Sequence, residues 1–267
     1  MKKLTNESKG FQPILGTALG ILFVSTASIF IRFAQAEASS LVIAASRLLL
    51  ASLVLVPIAG LKYHHQWRCL SWKDILKGSL SGLFLAIHFA VWITSLQLTS
   101  VASSVVLVTT TPLWVALLSP VVLKESIRKW VIIGLIVSIT GGVIVGFGQA
   151  CSFTSSGMVC EEQIFTGSTM LGNFLALVGA WMAAGYLLIG RQLRKTLSTV
   201  SYTALVYGIA AVILLTVVLL RSEPVFSYSK QTYLWLLALG VFPQLLGHSL
   251  FNWALKYISA AYVSLTF

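Results

Sequence analysis

Residues 78–123 read GSLSGLFLAIHFAVWITSLQLTSVASSVVLVTTTPLWVALLSPVVL, an uninterrupted stretch of 46 residues without a formal charge. About 20 apolar residues in a helix cross the ~30 Å hydrocarbon layer of a bilayer, because each residue adds about 1.5 Å. The stretch therefore predicts two membrane-spanning helices, joined by a tight turn near Leu98–Val101.

Weakly charged stretches of similar length lie on both sides of this pair. They are residues 10–31, 38–61, 130–148, 167–190, 196–220 and 231–255. Together they predict eight spans, numbered along the chain, with spans 3 and 4 in the quoted segment. A ninth apolar run opens at Tyr257 and reaches only eleven residues by Phe267, too few to cross a bilayer as a helix. We predict an all-α polytopic membrane protein.

The composition supports this class and excludes others. Hydrophobic residues make up 57% of the chain and charged residues 9%, against about 25% charged in soluble domains. The net charge of +11 arises mainly in alternate loops: 14 Lys and Arg lie on the side of the N-terminus and three on the opposite side. By the positive-inside rule the N-terminus is cytoplasmic, in the plasma (bacterial inner) membrane. The positive charge thus predicts topology, and it gives no support for nucleic-acid binding.

The corner between spans 3 and 4 has a counterpart near the end of the sequence. Residues 96–102 (LQLTSVA) match residues 255–261 (LKYISAA) at an offset of 159. Each unit then contains five spans, and an odd number of spans inverts the second unit relative to the first. We predict three regions: a first repeat (10–148), an external loop (149–166) and a second, incomplete repeat (167–267).

Three segments together resemble a known family. They are Ser46–Leu50 (SRLLL), Leu98–Ala102 (LTSVA) and Thr111–Pro120 (TPLWVALLSP), the last running into Lys124-Glu125. Combined, they resemble the EamA-type carriers of the drug/metabolite transporter superfamily over essentially the whole chain. The resemblance implies ten helices in two inverted five-helix repeats, with both termini cytoplasmic, and export of amino acids, metabolites or drugs. We expect the ten-helix fold to be truncated here within helix 9.

Polar side chains inside a bilayer are costly unless they contact partners or a wet cavity, so each is a candidate for solute binding. Gln244, His248 and Asn252 in span 8 are spaced by four and share one helical face. His88 and Trp92 share a face of span 3, which corresponds to span 8 in the repeat. We predict that both histidines line one central cavity; interhelical hydrogen bonding is the alternative use of these residue types.

Three further residues in the spans are candidates for function. Arg47 lies about seven residues from the external end of span 2, roughly 10 Å deep by helical rise. It is a candidate ligand for a carboxylate or phosphate of the solute, with snorkelling or packing against helix carbonyls as the alternative. Pro112 in span 4 and Pro243 in span 8 each remove a backbone hydrogen bond, so they are candidate hinges or merely tolerated kinks.

Two residue pairs point to contacts outside the cavity. Gly142 and Gly146 form a small-xxx-small pattern in span 5, which predicts close helix packing within the protomer or across a homodimer. Cys151 and Cys160 lie in the external loop, where an oxidising compartment permits a disulfide, an accidental pair being the alternative.

The absence of certain residue types narrows the function. By sequence, no Asp or Glu falls within the eight predicted stretches, and no glycine-rich phosphate loop is present. We therefore expect no catalytic residue, metal or cofactor, and no ATP-driven transport. The leading hypothesis is a secondary transporter that exports a small metabolite or amino acid by alternating access, with the solute and the lipid bilayer as its partners. A truncated protein with an assembly or interaction role, or a membrane-embedded enzyme, is the alternative.

Overall fold

The computed structural model describes the backbone of residues 4–154, 157–160 and 167–266, and the side chains of residues 12–148, 151, 157 and 167–266. Within these residues, eight helical segments are long and apolar enough to cross a membrane. The structure thereby confirms the predicted all-α polytopic membrane fold. Each span falls on one of the weakly charged stretches of the sequence, because charged side chains are costly inside a bilayer. The spans are helical, because in a bilayer all backbone groups must be hydrogen-bonded within the segment.

Five spans precede the loop at residues 149–166 and three follow it. Span 1 comprises α1 (Leu4–Val24) and α2 (Ala27–Ala34), and span 2 is α3 (Ser40–Lys62), which the short helix α4 (His64–Arg68) follows. Span 3 is α5 (Trp72–Leu98), span 4 comprises α6 (Val101–Val108) and α7 (Thr111–Val122), and span 5 is α8 (Lys129–Ala150). Span 6 is α9 (Gly167–Leu193) and span 7 is α10 (Thr199–Leu220). Span 8 comprises α11 (Lys230–Leu239), a π-helical segment (Gly240–His248) and α12 (Ser249–Ala254). The short helix α13 (Ala260–Ser264) follows.

Serine residues fix the starts of several helices. Ser39 caps α3 and Ser198 caps α10, each accepting a hydrogen bond from the backbone N–H three residues on. Ser100 caps α6 and Ser259 caps α13 in the same way. Ser198 lies 159 residues after Ser39, and Ser259 lies 159 residues after Ser100. This is the offset that relates the two corners in the sequence. The turn predicted at Leu98–Val101 is the interval between α5 and α6.

Equivalent hydrogen bonds also recur at this offset, at the ends of spans 1 and 6. Arg32 Nη1 donates to the Leu96 carbonyl at 2.6 Å, and Arg191 Nη1 donates to the Leu255 carbonyl at 2.5 Å. A second pair joins the same spans: Gln35 Nε2 to the Ile93 carbonyl, and Arg194 Nε to the Asn252 carbonyl. Spans 1 and 6 are five spans apart, so these two bonded corners lie at opposite faces of the membrane.

A close helix contact holds the corner between spans 3 and 4 in place. A Cβ atom on Gly172 of α9 would stand 2.9 Å from Leu98 Cβ and 3.0 Å from the Thr99 backbone nitrogen. Beside this contact, Thr99 Oγ1 donates to Asn173 Oδ1 at 2.8 Å. Glycine is therefore required where α9 crosses the corner, because the backbone of the corner cannot move aside as a side chain could.

The loop between spans 5 and 6 contains a small β-hairpin. Strands β1 (Cys151–Thr154) and β2 (Gly157–Cys160) pair antiparallel, with Cys151 opposite Cys160 in the register. Cys151 is disulfide-bonded, whereas the side chain of Cys160 lies outside the described residues. The sequence indicated only a loop here, because strands of four residues are too short to show a clear hydrophobic periodicity.

A hydrogen bond between the turn after span 1 and the start of span 8 should make the stability of the protein depend on pH. The backbone N–H of Ser229 donates to Glu37 Oε2 at 2.7 Å, and this bond lowers the pKa of the Glu37 carboxyl from its ordinary value. A lowered carboxyl pKa stabilises the fold above the ordinary pKa, and this contribution is lost as the pH falls through the lowered value. We expect the wild-type protein to melt above Glu37→Gln at neutral pH, and the difference to vanish on acidification. A difference in Tm that grew towards acid pH would contradict this assignment.

Candidate functional site

A cavity of about 260 Å³ lies among spans 1, 3, 4 and 8. Its wall combines aromatic rings, hydroxyl groups and aliphatic side chains: His88, Trp92 and His248, then Ser25, Ser28, Thr109, Thr111 and Thr266, then Ile21, Val24, Val105 and Val108. Drug-sized ligands occupy pockets of about 300–1,000 Å³, so a cavity of this size suits a smaller solute. Both histidines predicted to share a cavity line this one.

Three of the four spans around the cavity are not continuous α-helices. Span 1 is interrupted between α1 and α2, span 4 between α6 and α7, and span 8 by the π-helical segment. Ser25 and Thr109 lie at the first two interruptions, and their hydroxyls donate to the carbonyls of Leu22 and Val106. Irregular backbone at membrane depth is tolerated where it lines a cavity. No proline marks the break in span 1, so it was not predictable from the sequence.

His88 is held in a defined orientation by span 6. Its Nδ1 lies 2.8 Å from the Gly179 carbonyl oxygen, which can only accept, so Nδ1 carries the hydrogen. In a neutral ring Nε2 is then an acceptor. The His88 ring also stacks on Trp92, with centroids 5.9 Å apart. His88 can therefore accept a hydrogen bond from a solute without changing its own position.

Phe89 and Trp92 complete the aromatic part of the site. The Phe89 ring lies between the two histidines, with centroids 4.8 Å from His88 and 5.4 Å from His248. Sequence reasoning did not select Phe89, because an apolar residue in a span carries no polar signal. Trp92 is 7% exposed, and its Nε1–H has no hydrogen-bond partner among the described residues. This N–H is a donor left for a ligand.

Three predicted site residues lie behind the cavity wall. Arg47 and Gln244 are 0% exposed, and Arg47 Nε donates to Gln244 Oε1 at 3.0 Å. Asn252 accepts from the Tyr186 hydroxyl at 2.7 Å and donates to the Tyr207 hydroxyl at 3.0 Å. The wider turns of the π-helical segment alter the four-residue spacing between Gln244 and His248. Asn252 lies in α12, one turn beyond His248, and bonds to the two tyrosines; neither Gln244 nor Asn252 lines the cavity.

Comparisons with known proteins agree with this architecture. The profile of the EamA-like transporter family matches residues 12–147 and 170–267. The chain belongs to this family. This EamA-like protein is therefore an integral membrane protein.

The EamA-like chain is similar to a curated protein in sequence and to a solved structure in fold. It is 27% identical over 180 residues to the uncharacterized transporter YyaM of Bacillus subtilis (strain 168), a match that covers 67% of this chain and 56% of YyaM. The matched part thus spans just over half the length of that curated relative. A crystal structure with 19% sequence identity superimposes with a TM-score of 0.70, covering 95% of this chain and 82% of the other. At that identity the likeness concerns the fold.

The predicted hinge prolines of the EamA-like protein lie at breaks of its spans, and the two predicted packing glycines differ in their contacts. Pro112 lies in the first turn of α7, directly after the break in span 4, and Pro243 lies inside the π-helical segment. A Cβ on Gly142 would meet Val106 of α6 at 3.2 Å, whereas Gly146 has no neighbour within 4 Å among the described residues. The two prolines therefore coincide with irregular backbone beside the cavity.

The EamA-like site is suited to binding a solute by hydrogen bonds and aromatic contact. The hydroxyls of Ser25, Thr109 and Thr111 donate to backbone carbonyls, so their oxygens keep acceptor capacity. Trp92 adds a donor and His88 an acceptor. Within the described residues, no group of three or more His, Cys, Asp or Glu can hold a metal ion.

Proposed function

We propose that this protein is a secondary carrier that exports a small metabolite, with amino acids as the first candidates, by alternating access. The observation that carries the proposal is the cavity of about 260 Å³ lined by His88, Trp92 and His248. It lies among interrupted spans, which is the backbone arrangement that transporters use at their binding sites. The curated relative, itself an uncharacterized transporter, supports transport without naming a solute.

The mechanism rests on a pair of inverted repeats, residues 10–148 and 167–267. Two observations support them: the helix-capping serines and the arginine–carbonyl bonds recur at an offset of 159. Inverted repeats allow one side of the cavity to open as the other closes, because the two halves can exchange conformations. The excess of basic loops on the N-terminal side supports a cytoplasmic N-terminus in the bacterial inner membrane.

Counterflow in proteoliposomes tests the proposal. Vesicles loaded with one unlabelled solute from an amino-acid and metabolite panel should accumulate the same solute in labelled form, whereas empty vesicles should not. His88→Ala is expected to lower the flux about tenfold, the effect of losing roughly 1.4 kcal/mol of solute interaction. His64→Ala, which removes an exposed histidine of α4, is the matched control and should keep the wild-type flux. Absence of counterflow for every solute of the panel would contradict carrier function.

A further inference from the structure

The guanidinium of Arg47 lies inside the protein without an anionic partner. Its Nε–H is bonded to Gln244, and its Cζ lies 4.0 Å from the centroid of the Phe89 ring. Neither Nη1 nor Nη2 has a hydrogen-bond partner among the described residues, although the side chain is 0% exposed. Buried cations in proteins are normally paired, because removing a charge from water is costly. The positive charge of Arg47 therefore calls for an anion that the described residues do not supply.

Gln244 and Trp92 each carry a buried donor that lacks a hydrogen-bond partner among the described residues. Gln244 uses its Oε1 for Arg47, and its own Nε2 has no partner among the described residues. Trp92, on the cavity wall, has an unpartnered Nε1–H. By sequence, Asp74 is the sole carboxylate residue within the eight spans, and it caps the first turn of α5 by bonding to Ser71. A surplus of buried donors predicts a ligand that brings acceptors and negative charge.

Phe89 connects this arginine to the cavity. Its ring lies over the guanidinium and also contacts His88 and His248, which both line the cavity. The Phe89 ring thus separates the guanidinium of Arg47 from the cavity. A carboxylate binds a guanidinium through two charge-assisted hydrogen bonds, which are stronger than the attraction of an aromatic face. A solute that moves the Phe89 ring aside therefore gains a better partner for Arg47 than the ring itself.

We propose that the solute carries a carboxylate group, which binds the two Nη groups of Arg47 together with Gln244 Nε2. This inference rests on the proposed carrier function and defines its substrate class as small organic acids and zwitterions. The apolar part of the solute remains in the cavity, against Trp92 and the aliphatic wall. Trp92 Nε1 donates to a second acceptor of the solute there.

Thermal unfolding of the purified protein with matched acids and amides tests the site. The acids are acetate, butyrate, benzoate and L-phenylalanine, and each is compared with its amide at equal ionic strength. At least one acid should raise the Tm about 2–4 °C further than its amide, because only the acid pairs with Arg47. This difference should vanish in Arg47→Gln. It should remain in Arg68→Gln, the control in the exposed helix α4.

Three outcomes would contradict the proposed carboxylate site at Arg47. They are an equal response to acid and amide in all four pairs, a difference that persists in Arg47→Gln, and equal stabilisation by chloride. If Arg47→Gln does not fold, Gln244→Leu provides the test, since it removes one donor and leaves the charge. The acid concentration that gives half of the shift should then rise several-fold, and an unchanged concentration would contradict the proposal.

Counterflow separates this inference from the carrier function. If acids stabilise the protein through Arg47 and none of them undergoes counterflow, the anion site stands and the carrier function fails. If counterflow occurs only for solutes without a carboxylate, the carrier function stands and the anion site fails.

Discussion

Replacing Asn252 with leucine is expected to lower the free energy of unfolding by about 1–3 kcal/mol. Asn252 is 1% exposed and bridges two buried tyrosines, accepting from Tyr186 and donating to Tyr207. Leucine leaves both hydroxyls without this partner. Buried groups that lose their partners cost about 1–3 kcal/mol each in soluble proteins. Side-chain hydrogen bonds in membranes average about 0.6 kcal/mol and reach about 1.7, so we expect the combined loss to be moderate.

Equilibrium unfolding in mixed micelles with increasing SDS measures this difference. The control is the triple variant Asn252→Leu, Tyr186→Phe, Tyr207→Phe, which also removes the two hydroxyls. It should recover most of the lost stability, because the two hydroxyls that lose Asn252 are then removed as well. A single Asn252→Leu variant as stable as wild type, or a triple variant less stable than the single one, would show that the bridge does not stabilise the fold.

The spans were predictable from the sequence, because their signal is local. A charge-free stretch such as residues 78–123 has no other stable arrangement than helices buried in lipid, and the turn at Leu98–Val101 follows from its length. The histidines of the cavity were also predictable, since a polar side chain at membrane depth needs a partner or water. His88 and His248 accordingly line the same cavity.

Other parts of the site depend on contacts between distant segments and could not be predicted. Arg47 and Gln244 are 197 positions apart, so no local pattern reveals their bond. The break at Ser25 has no proline to mark it, and the π-helical segment changes the direction of Gln244 relative to His248. Phe89 belongs to the site because of the rings and the guanidinium that surround it, whereas its own type is ordinary for a span.

Breaking the two corner bonds should open the carrier towards opposite sides of the membrane. Arg32 and Arg191 each donate to a carbonyl near the C-terminal end of another span, Leu96 of span 3 in one case and Leu255, directly after span 8, in the other. A hydrogen bond from a charged group contributes about 1.5–3 kcal/mol, so its loss should change the ratio of open to closed corner about ten- to a hundredfold. Arg32→Ala should favour opening at its own face, and Arg191→Ala at the other.

The two effects should differ in size. Arg191 Nε also forms an ion pair with Glu125 at 2.9 Å, so Arg191→Ala removes two interactions. Among the described contacts, Arg32 has no corresponding ion pair. We therefore expect Arg191→Ala to raise the ratio of open to closed corner more than Arg32→Ala does. Glu125→Gln in a wild-type Arg191 background should give an intermediate shift, because it weakens the ion pair and leaves the carbonyl bond.

Cysteine accessibility in vesicles of known orientation distinguishes these outcomes. A Thr109→Cys reporter on the cavity wall, in a Cys69→Ser background, reacts with a membrane-impermeant maleimide only from the side to which the cavity is open. Arg32→Ala should speed labelling from the face that holds Arg32, and Arg191→Ala from the face that holds Arg191. The controls are Arg221→Ala, at the end of α10, and Arg68→Ala, in α4, which lie at those respective faces and should leave both rates unchanged. Faster labelling from the same side in both corner variants would contradict the inverted arrangement, because two gates related by inversion cannot open towards one face.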